Sequence, residues 1–219
     1  MSRTIFITAT DTDAGKTWVT HSLLQAMLSQ GVDAQALKPV ASGKNGDGLN
    51  EDVALLLDAQ PSKHSQDINY VTYDFPLAPA LAAKKQGLGF NAEQLLAWQD
   101  KQISQHDITL IEGVGGLMVP LRVDEKPWLV SDWIQTTAQV EVMLVVPLRL
   151  GCMSQVLTHC QCLAGIGSLP RWIVFNDMSQ TGGFDETQMT LKPILQNMFA
   201  QPPNMICLCT GEGMPNIIV

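Results

Sequence analysis

The chain is short of positive charge. Thirteen Lys and Arg stand against 21 Asp and Glu, a formal net charge of −8 at pH 7. Nucleic acids and anionic membranes are held by clustered Lys and Arg, so this balance argues against either as a partner. Long apolar runs are missing as well, and none approaches the roughly 20 residues of a membrane-spanning helix. The amino terminus has one early Arg3 and an apolar stretch stopped by Asp11, which is not the layout of a secretory leader. Together these absences predict a cytoplasmic protein.

Cysteine is sparse and odd in number: Cys152, Cys160, Cys162, Cys207 and Cys209. Structural zinc sites favour two to four residues between paired cysteines. The two C-x-C pairs have one, and no His stands at supporting spacing, so the five read as thiols of a reducing compartment. Repeats, low-complexity tracts and linkers are also absent. With 46% apolar and 16% charged residues, the 219-residue chain has an ordinary globular composition. One α/β domain over residues 1–219 is therefore expected.

What is present alternates. Apolar, β-branched runs predict strands at Thr4–Thr8, Ala34–Lys38, Ile108–Ile111, Val140–Val146 and Trp172–Phe175, with a weaker candidate at Met205–Leu208. Helical spacing predicts helices over Thr17–Gln30, after an Asn91 cap, and over Leu129–Thr137, Ser154–Ala164 and Thr187–Phe199, the last with Pro193 as an internal weakness. Gln94 stands in capping-box position relative to Asn91. Buried strands alternating with helices imply a mostly parallel sheet with helices on both faces. Its polar and glycine-rich loops all follow strands: TDTDAGKT, KPVASG, EGVGG, PLRLG and NDMSQTGG. Ligands in such folds bind beyond the carboxyl ends of the strands.

The segment TATDTDAGKTW (residues 8–18) ends in Gly-Lys-Thr between a strand and a helix. That setting points backbone N–H groups and the helix dipole at a phosphate, with Lys16 reaching its terminal oxygens and Thr17 facing Mg²⁺. The glycine that opens the usual G-x-x-x-x-G-K-[ST] loop is missing, since Thr10 holds its place. Glu112, ending a buried strand before a glycine turn, is the expected second carboxylate for a metal, ahead of Asp52 at a helix start. Lys38 would share this edge with Lys16, and two cations beside a metal suit a reaction between two anions. Unaided, these residues spell an ATPase of the phosphate-loop NTPase type.

TDTDAGKT (10–17), LKPVASG (37–43), an acid within NEDVALLL (50–57), IEGVGGLMVPL (111–121), SDW (131–133), VVPLRLGC (145–152) and FND (175–177) run in one order along the chain. In that order they resemble the dethiobiotin synthetases, ATP-dependent ligases of biotin synthesis. The resemblance implies that 7,8-diaminononanoate, CO₂ and ATP yield dethiobiotin, ADP and phosphate through a carbamate and a carbamic-phosphoric anhydride. It implies catalytic roles for Lys16 and Lys38, and Mg²⁺ held by Thr17, Asp52 and Glu112. Nucleotide contacts would come from Asp13, Ala14, Gly15, Lys16, Thr17, Gly113, Val114, Gly115, Asn176 and Asp177, with Asn176 at the adenine edge. The diamine and carbamate would meet Thr12, Lys38, Ser42, Gly115 and Gly116. The substrate's carboxylate tail would reach Gly151, Cys152 and Met153 of a partner subunit, which implies a homodimer.

The family opens its loop with glycine one position earlier than the usual pattern, where this chain has Ala9. It commonly has lysine at the position of Arg149 and often asparagine at that of Ser154. Its Gly-x-[IL]-Pro element after the last strand has no equivalent here in register, Gly213-Met214-Pro215 arriving late. Three other readings share the loop. The amidation domain of corrin-ring synthesis normally comes with a glutaminase domain, for which 219 residues leave no room. A ParA- or MinD-like ATPase switch carries an extra lysine at the loop entry and needs a basic or amphipathic surface. A degenerate paralogue would bind nucleotide without turnover.

Overall fold

Buried apolar runs can satisfy their backbone polar groups only by pairing, and here they pair with one another. The computed structural model describes residues 2–124, 126–178, 180 and 182–209. In chain order these form β1 (Arg3–Ala9), α1 (Lys16–Ser29), β2 (Ala34–Leu37), β3 (Val40–Ser42), α2 (Glu51–Asp58) and α3 (Ser65–Ile68). Then come β4 (Val71–Tyr73), α4 (Pro79–Lys85), α5 (Ala92–Ile103), β5 (Ile108–Glu112), β6 (Pro120–Arg122) and β7 (Trp128–Leu129). The described part closes with α6 (Val130–Thr136), β8 (Val140–Pro147), α7 (Cys152–Gly165), β9 (Trp172–Asp177), α8 (Phe184–Met198) and β10 (Asn204–Cys209).

Six strands make the central sheet in the order β10-β9-β8-β1-β5-β2, and every neighbouring pair is parallel. All six carboxyl ends therefore open on one edge. Strand alternation sends residues to two cores. Leu144, Val146, Ile173 and Phe175 pack with Val156 and Cys160 of α7 and Leu191 and Leu195 of α8. Met143, Val145, Trp172 and Val174 join a larger core that holds Val19, Leu23 and Met27 of α1. The sheet is covered on both faces, as the continuous apolar strands require.

Three local expectations change. PVASG reads as a loop, but Val40–Ser42 form β3, paired in parallel with Val71–Tyr73 of β4. Two three-residue strands carry no period to detect, and each exists only because the other is beside it. The capping box at Asn91 is half made: Asn91 Oδ1 accepts from Gln94 N at 2.9 Å, while the Gln94 side chain meets Tyr70 instead. Pro193 does not break α8. A mid-helix proline costs about 3 kcal/mol. Leu191 and Leu195, both fully buried on either side of it, offset that at roughly 1.5–3 kcal/mol each. Gly213, Met214 and Pro215 lie outside the described residues. Among those described, no helix is long and apolar enough to cross a membrane.

Candidate active site

β1 delivers the chain into the loop and α1 begins directly after it. Ala9 is the last residue of β1, paired with Val145, fully buried and outside the positive-φ region. An alanine satisfies that geometry, so the loop entry does not require glycine. The demanding position is Gly15, with φ +86 and a Cβ that would stand 2.0 Å from Asn176 Nδ2. Asp13 also takes a left-handed conformation, φ 57, which costs roughly 1–2 kcal/mol for a residue with a Cβ. Strain of that kind persists where surrounding contacts impose it.

Asn176 supplies one of those contacts. At the end of β9 and nearly fully buried, it donates from Nδ2 to the Ala14 carbonyl at 3.0 Å. It therefore braces the loop from behind and does not line the main cleft. Asp177 is buried beside it and accepts from Gly182 N at 3.0 Å, shaping the turn after β9.

In front of the loop lies a cleft of about 920 Å³, lined by Thr12, Asp13, Gly15, Lys16, Thr17, Lys38, Ser42, Asp52, Val114 and Gly115 among others. Lys38 is its electrostatic centre. Its ammonium, 3% exposed, lies 2.6 Å from Glu112 Oε1 and 2.8 Å from Asp52 Oδ2. Thr17 Oγ1 donates to the same Glu112 oxygen at 2.6 Å, and Lys38 Nζ also points at the Gly113 carbonyl, 3.4 Å away. Residues from β1–α1, β2, α2 and β5 thus meet at one point. Burial alone would lower the Lys38 pKa, but Glu112 and Asp52 outweigh it and raise it above the ordinary lysine value. Burial likewise pushes the Asp52 carboxyl up, and Lys38 more than reverses that.

Lys16 has the opposite fate. It is 7% exposed, and burial followed by the nearby charge of Lys38 lowers its pKa to about 8. Of the three carboxylates whose charge reaches it, Glu112 and Asp52 are already paired with Lys38, and with Asp13 they do not offset burial. A buried cation with an incomplete set of partners is complementary to an incoming anion.

The donor set suits a hard divalent ion. Glu112 is fully buried, and its Oε2 makes no hydrogen bond among the described residues. That orphan acceptor, the Thr17 hydroxyl and the half-exposed Asp52 are oxygen ligands of the kind Mg²⁺ takes. Among the described residues no cluster of three His, Cys, Asp or Glu could hold a metal. An ion here would complete its shell from phosphate oxygens and water.

The remaining expected residues divide in two. Ser42 lines the cleft with its Oγ buried and without a hydrogen-bond partner among the described residues. Gly115, at φ +60, turns the chain after β5 so that Val114 and Gly115 face the cleft. Gly116 lies behind, where a Cβ would come 3.4 Å from the Ala9 carbonyl oxygen. Gly151, Cys152 and Met153 are elsewhere, in a separate hollow of about 320 Å³ with Leu148, Arg149, Leu150 and Thr187. Arg149 of that hollow donates to Asp11 Oδ2, at the start of the phosphate loop, at 3.0 Å.

Sequence reasoning missed Asn50 and the Pro76–Pro79 wall. Asn50 caps α2, accepting from Asp52 N and Val53 N, and donates to the Ser42 and Gly43 carbonyls. It therefore sets Asp52 against Lys38. An Asn before a helical acid was the available signal. Pro76, Leu77, Ala78 and Pro79 close one side of the cleft, and only the tertiary path of the chain brings them there.

A family model described as an AAA domain matches residues 3–200. The ATP-dependent dethiobiotin synthetase BioD of Alteromonas mediterranea is 31% identical over 208 residues, covering 90% of this chain and 88% of that one. Its counterpart in Cellvibrio japonicus is 36% identical over 177 residues, 78% and 75% of the two chains. That of Pseudomonas aeruginosa PAO1 is 36% identical over 192 residues, 85% and 82%. Among solved structures, the septum site-determining protein MinD complexed with Mg-ADP from Pyrococcus horikoshii superposes with a TM-score of 0.53 at 17% identity, covering 90% of this chain and 84% of its own. That likeness concerns the fold alone, whereas the family rests on the sequence relatives. The chain belongs to the ATP-dependent dethiobiotin synthetase family.

Proposed function

We propose that this protein carboxylates 7,8-diaminononanoate and closes its ureido ring at the expense of ATP, releasing dethiobiotin, ADP and phosphate. One observation carries the reading: Lys38 is held by Glu112 and Asp52 at the bottom of a cleft that also exposes Lys16, Thr17 and Ser42. One amine adds to CO₂ and loses a proton, giving a carbamate. The carbamate oxygen attacks the γ-phosphorus and ADP leaves. The second amine then attacks the carbonyl carbon of the mixed anhydride, and phosphate departs as the ring closes.

Carbamate and γ-phosphate repel, so the chain must bring cations to the point where they meet. Lys38, kept protonated by its carboxylates, and Lys16, short of partners, are fixed there before substrate arrives, which is the condition for electrostatic stabilisation without reorganisation. Thr17, Asp52 and Glu112 would hold Mg²⁺, which supplies charge neutralisation on the phosphates. Ser42 Oγ and Thr12 offer hydrogen bonds to the diamine and carbamate. Gly151, Cys152 and Met153, outside the cleft, suit a substrate tail arriving from a second subunit of a homodimer.

The decisive assay supplies the diamine, bicarbonate and Mg·ATP and scores ADP and dethiobiotin together. Dethiobiotin formed in step with ADP is expected. ADP release indifferent to the diamine would sink the proposal, and nucleotide binding without turnover would favour a degenerate paralogue. Lys38→Gln should lower turnover about a hundredfold. Near-normal turnover in that variant would remove Lys38 from the mechanism.

A further inference from the structure

Among the described residues the sheet ends in β10, which pairs there with β9 alone. Strand alternation turns Ile206 and Leu208 into the core, at 5% and 1% exposure, and turns Cys207 and Cys209 to the opposite face, each half-buried. Residues i and i+2 of a strand are roughly 6.6 Å apart along the backbone. The two sulfurs nevertheless stand only 3.7 Å apart, so the side chains lean together. A disulfide would need about 2.05 Å. Two thiolates sharing one tetrahedral ion at about 2.3 Å each stand about 3.8 Å apart. The two thiols share a hydrogen bond at this spacing, too long for a disulfide and already close to that of two sulfurs on one tetrahedral ion.

From this arrangement we infer that Cys207 and Cys209 form an open two-thiolate site for a soft divalent cation of the zinc group. Binding makes two metal–sulfur bonds and releases two thiol protons to solvent. Among the described residues no third His, Cys, Asp or Glu stands with them, so these two do not make the closed four-ligand site of a structural zinc and the ion would exchange. Soft sulfur donors separate this site from the oxygen-lined cleft, which selects a hard ion. The other cysteines do not compete. Cys152 and Cys160 are buried in the core under α7, and burial pushes the Cys160 thiol up to about 12, while Cys162 is exposed on α7. Cys209 stands opposite Asp177, the residue after the Asn176 that braces the phosphate loop. An ion here would be read by the strand that supports ATP binding.

Cadmium is the probe, titrated into the reduced full chain while following the ultraviolet thiolate-to-metal charge-transfer band. One ion per chain, with about two protons released, is expected in the native protein and in Cys162→Ser. Cys207→Ser and Cys209→Ser should each lose the band. A second measurement needs no variant: cadmium should protect Cys207 and Cys209, and leave Cys162 open, when thiols are alkylated and mapped by mass spectrometry. A band that survives Cys207→Ser and Cys209→Ser, or protection that falls on Cys162, would overturn the inference.

Discussion

Two charge clusters sit at opposite edges of the same sheet and invert each other. At the carboxyl edge, one lysine, Lys38, lies between two carboxylates, Glu112 and Asp52. At the amino edge, one carboxylate, Glu141, lies between two arginines, Arg3 at 2.6 Å and Arg171 at 2.6 Å. Both arginines also stack over Trp172, their guanidinium carbons 5.3 and 4.9 Å from its ring centroid. The clusters differ in burial. Lys38 and Glu112 are 3% and 0% exposed, whereas Glu141 is 23% exposed and Arg171 mostly open to water. A wet cluster ties three strand ends together at small gain. A dry one carries a desolvation penalty that its pairing barely repays, which is a poor way to stabilise a fold and a good way to hold charge ready for chemistry.

The sharpest way to break this contrast is Glu112→Ala, which leaves Lys38 buried with only the half-exposed Asp52. A loss of about 3–5 kcal/mol in urea denaturation is expected, along with loss of turnover. A variant as stable as the native protein would mean that the dry cluster behaves like the wet one.

Lys16 provides the next test. Its pKa of about 8 in the fold is below its unfolded value, so between these values the unfolded chain binds more protons. Stability contributed by this group is therefore lowest below pH 8 and rises as the pH climbs towards 10.5. Lys16→Met should flatten that rise and stabilise the ligand-free protein near neutrality by about 2–3 kcal/mol while abolishing turnover. An unchanged pH profile would show that Lys16 is solvated.

A smaller effect is expected at the wet edge. Burial pushes the Glu141 carboxyl up, but Arg3 and Arg171 outweigh it and hold it below the ordinary range. Its contribution is present above the unfolded value near 4.5 and fades as the pH falls through the lower folded one. Glu141→Gln should cost about 1 kcal/mol or less near neutrality, less in high salt, and nothing in strong acid. A cost that persists in acid would assign the effect to packing on Trp172. Ala9→Gly should change least, costing about 0.5–1 kcal/mol of stability with ATP affinity unchanged. Markedly tighter ATP binding would show that the Ala9 methyl obstructs the loop.

Much of the parallel sheet was legible because its signals are local. The apolar runs at residues 108–111, 140–146 and 172–175 lie inside β5, β8 and β9, and Gly-Lys-Thr between strand and helix marks the loop. β3 and β4 were not legible, since three residues carry no period and their pairing spans about thirty positions of chain. The ranking of Glu112 above Asp52 was also incomplete. Spacing sees a strand-end acid but not that Asn50 caps α2 so as to swing Asp52 onto the same lysine.

By itself the sequence determined the strand–helix alternation, the phosphate loop and the types of residue gathered at the carboxyl edge, because each is set by neighbours a few positions apart. Tertiary structure decided which charges meet. Lys38 and Glu112 are 74 positions apart and Asn176 and Ala14 are 162 apart, and only the stacking of parallel strands brings them within hydrogen-bond reach. Burial then did what no spacing can, giving two lysines of one cleft opposite shifts: at Lys16 burial and the charge of Lys38 prevail over the nearby carboxylates, while at Lys38 its paired Glu112 and Asp52 prevail over burial.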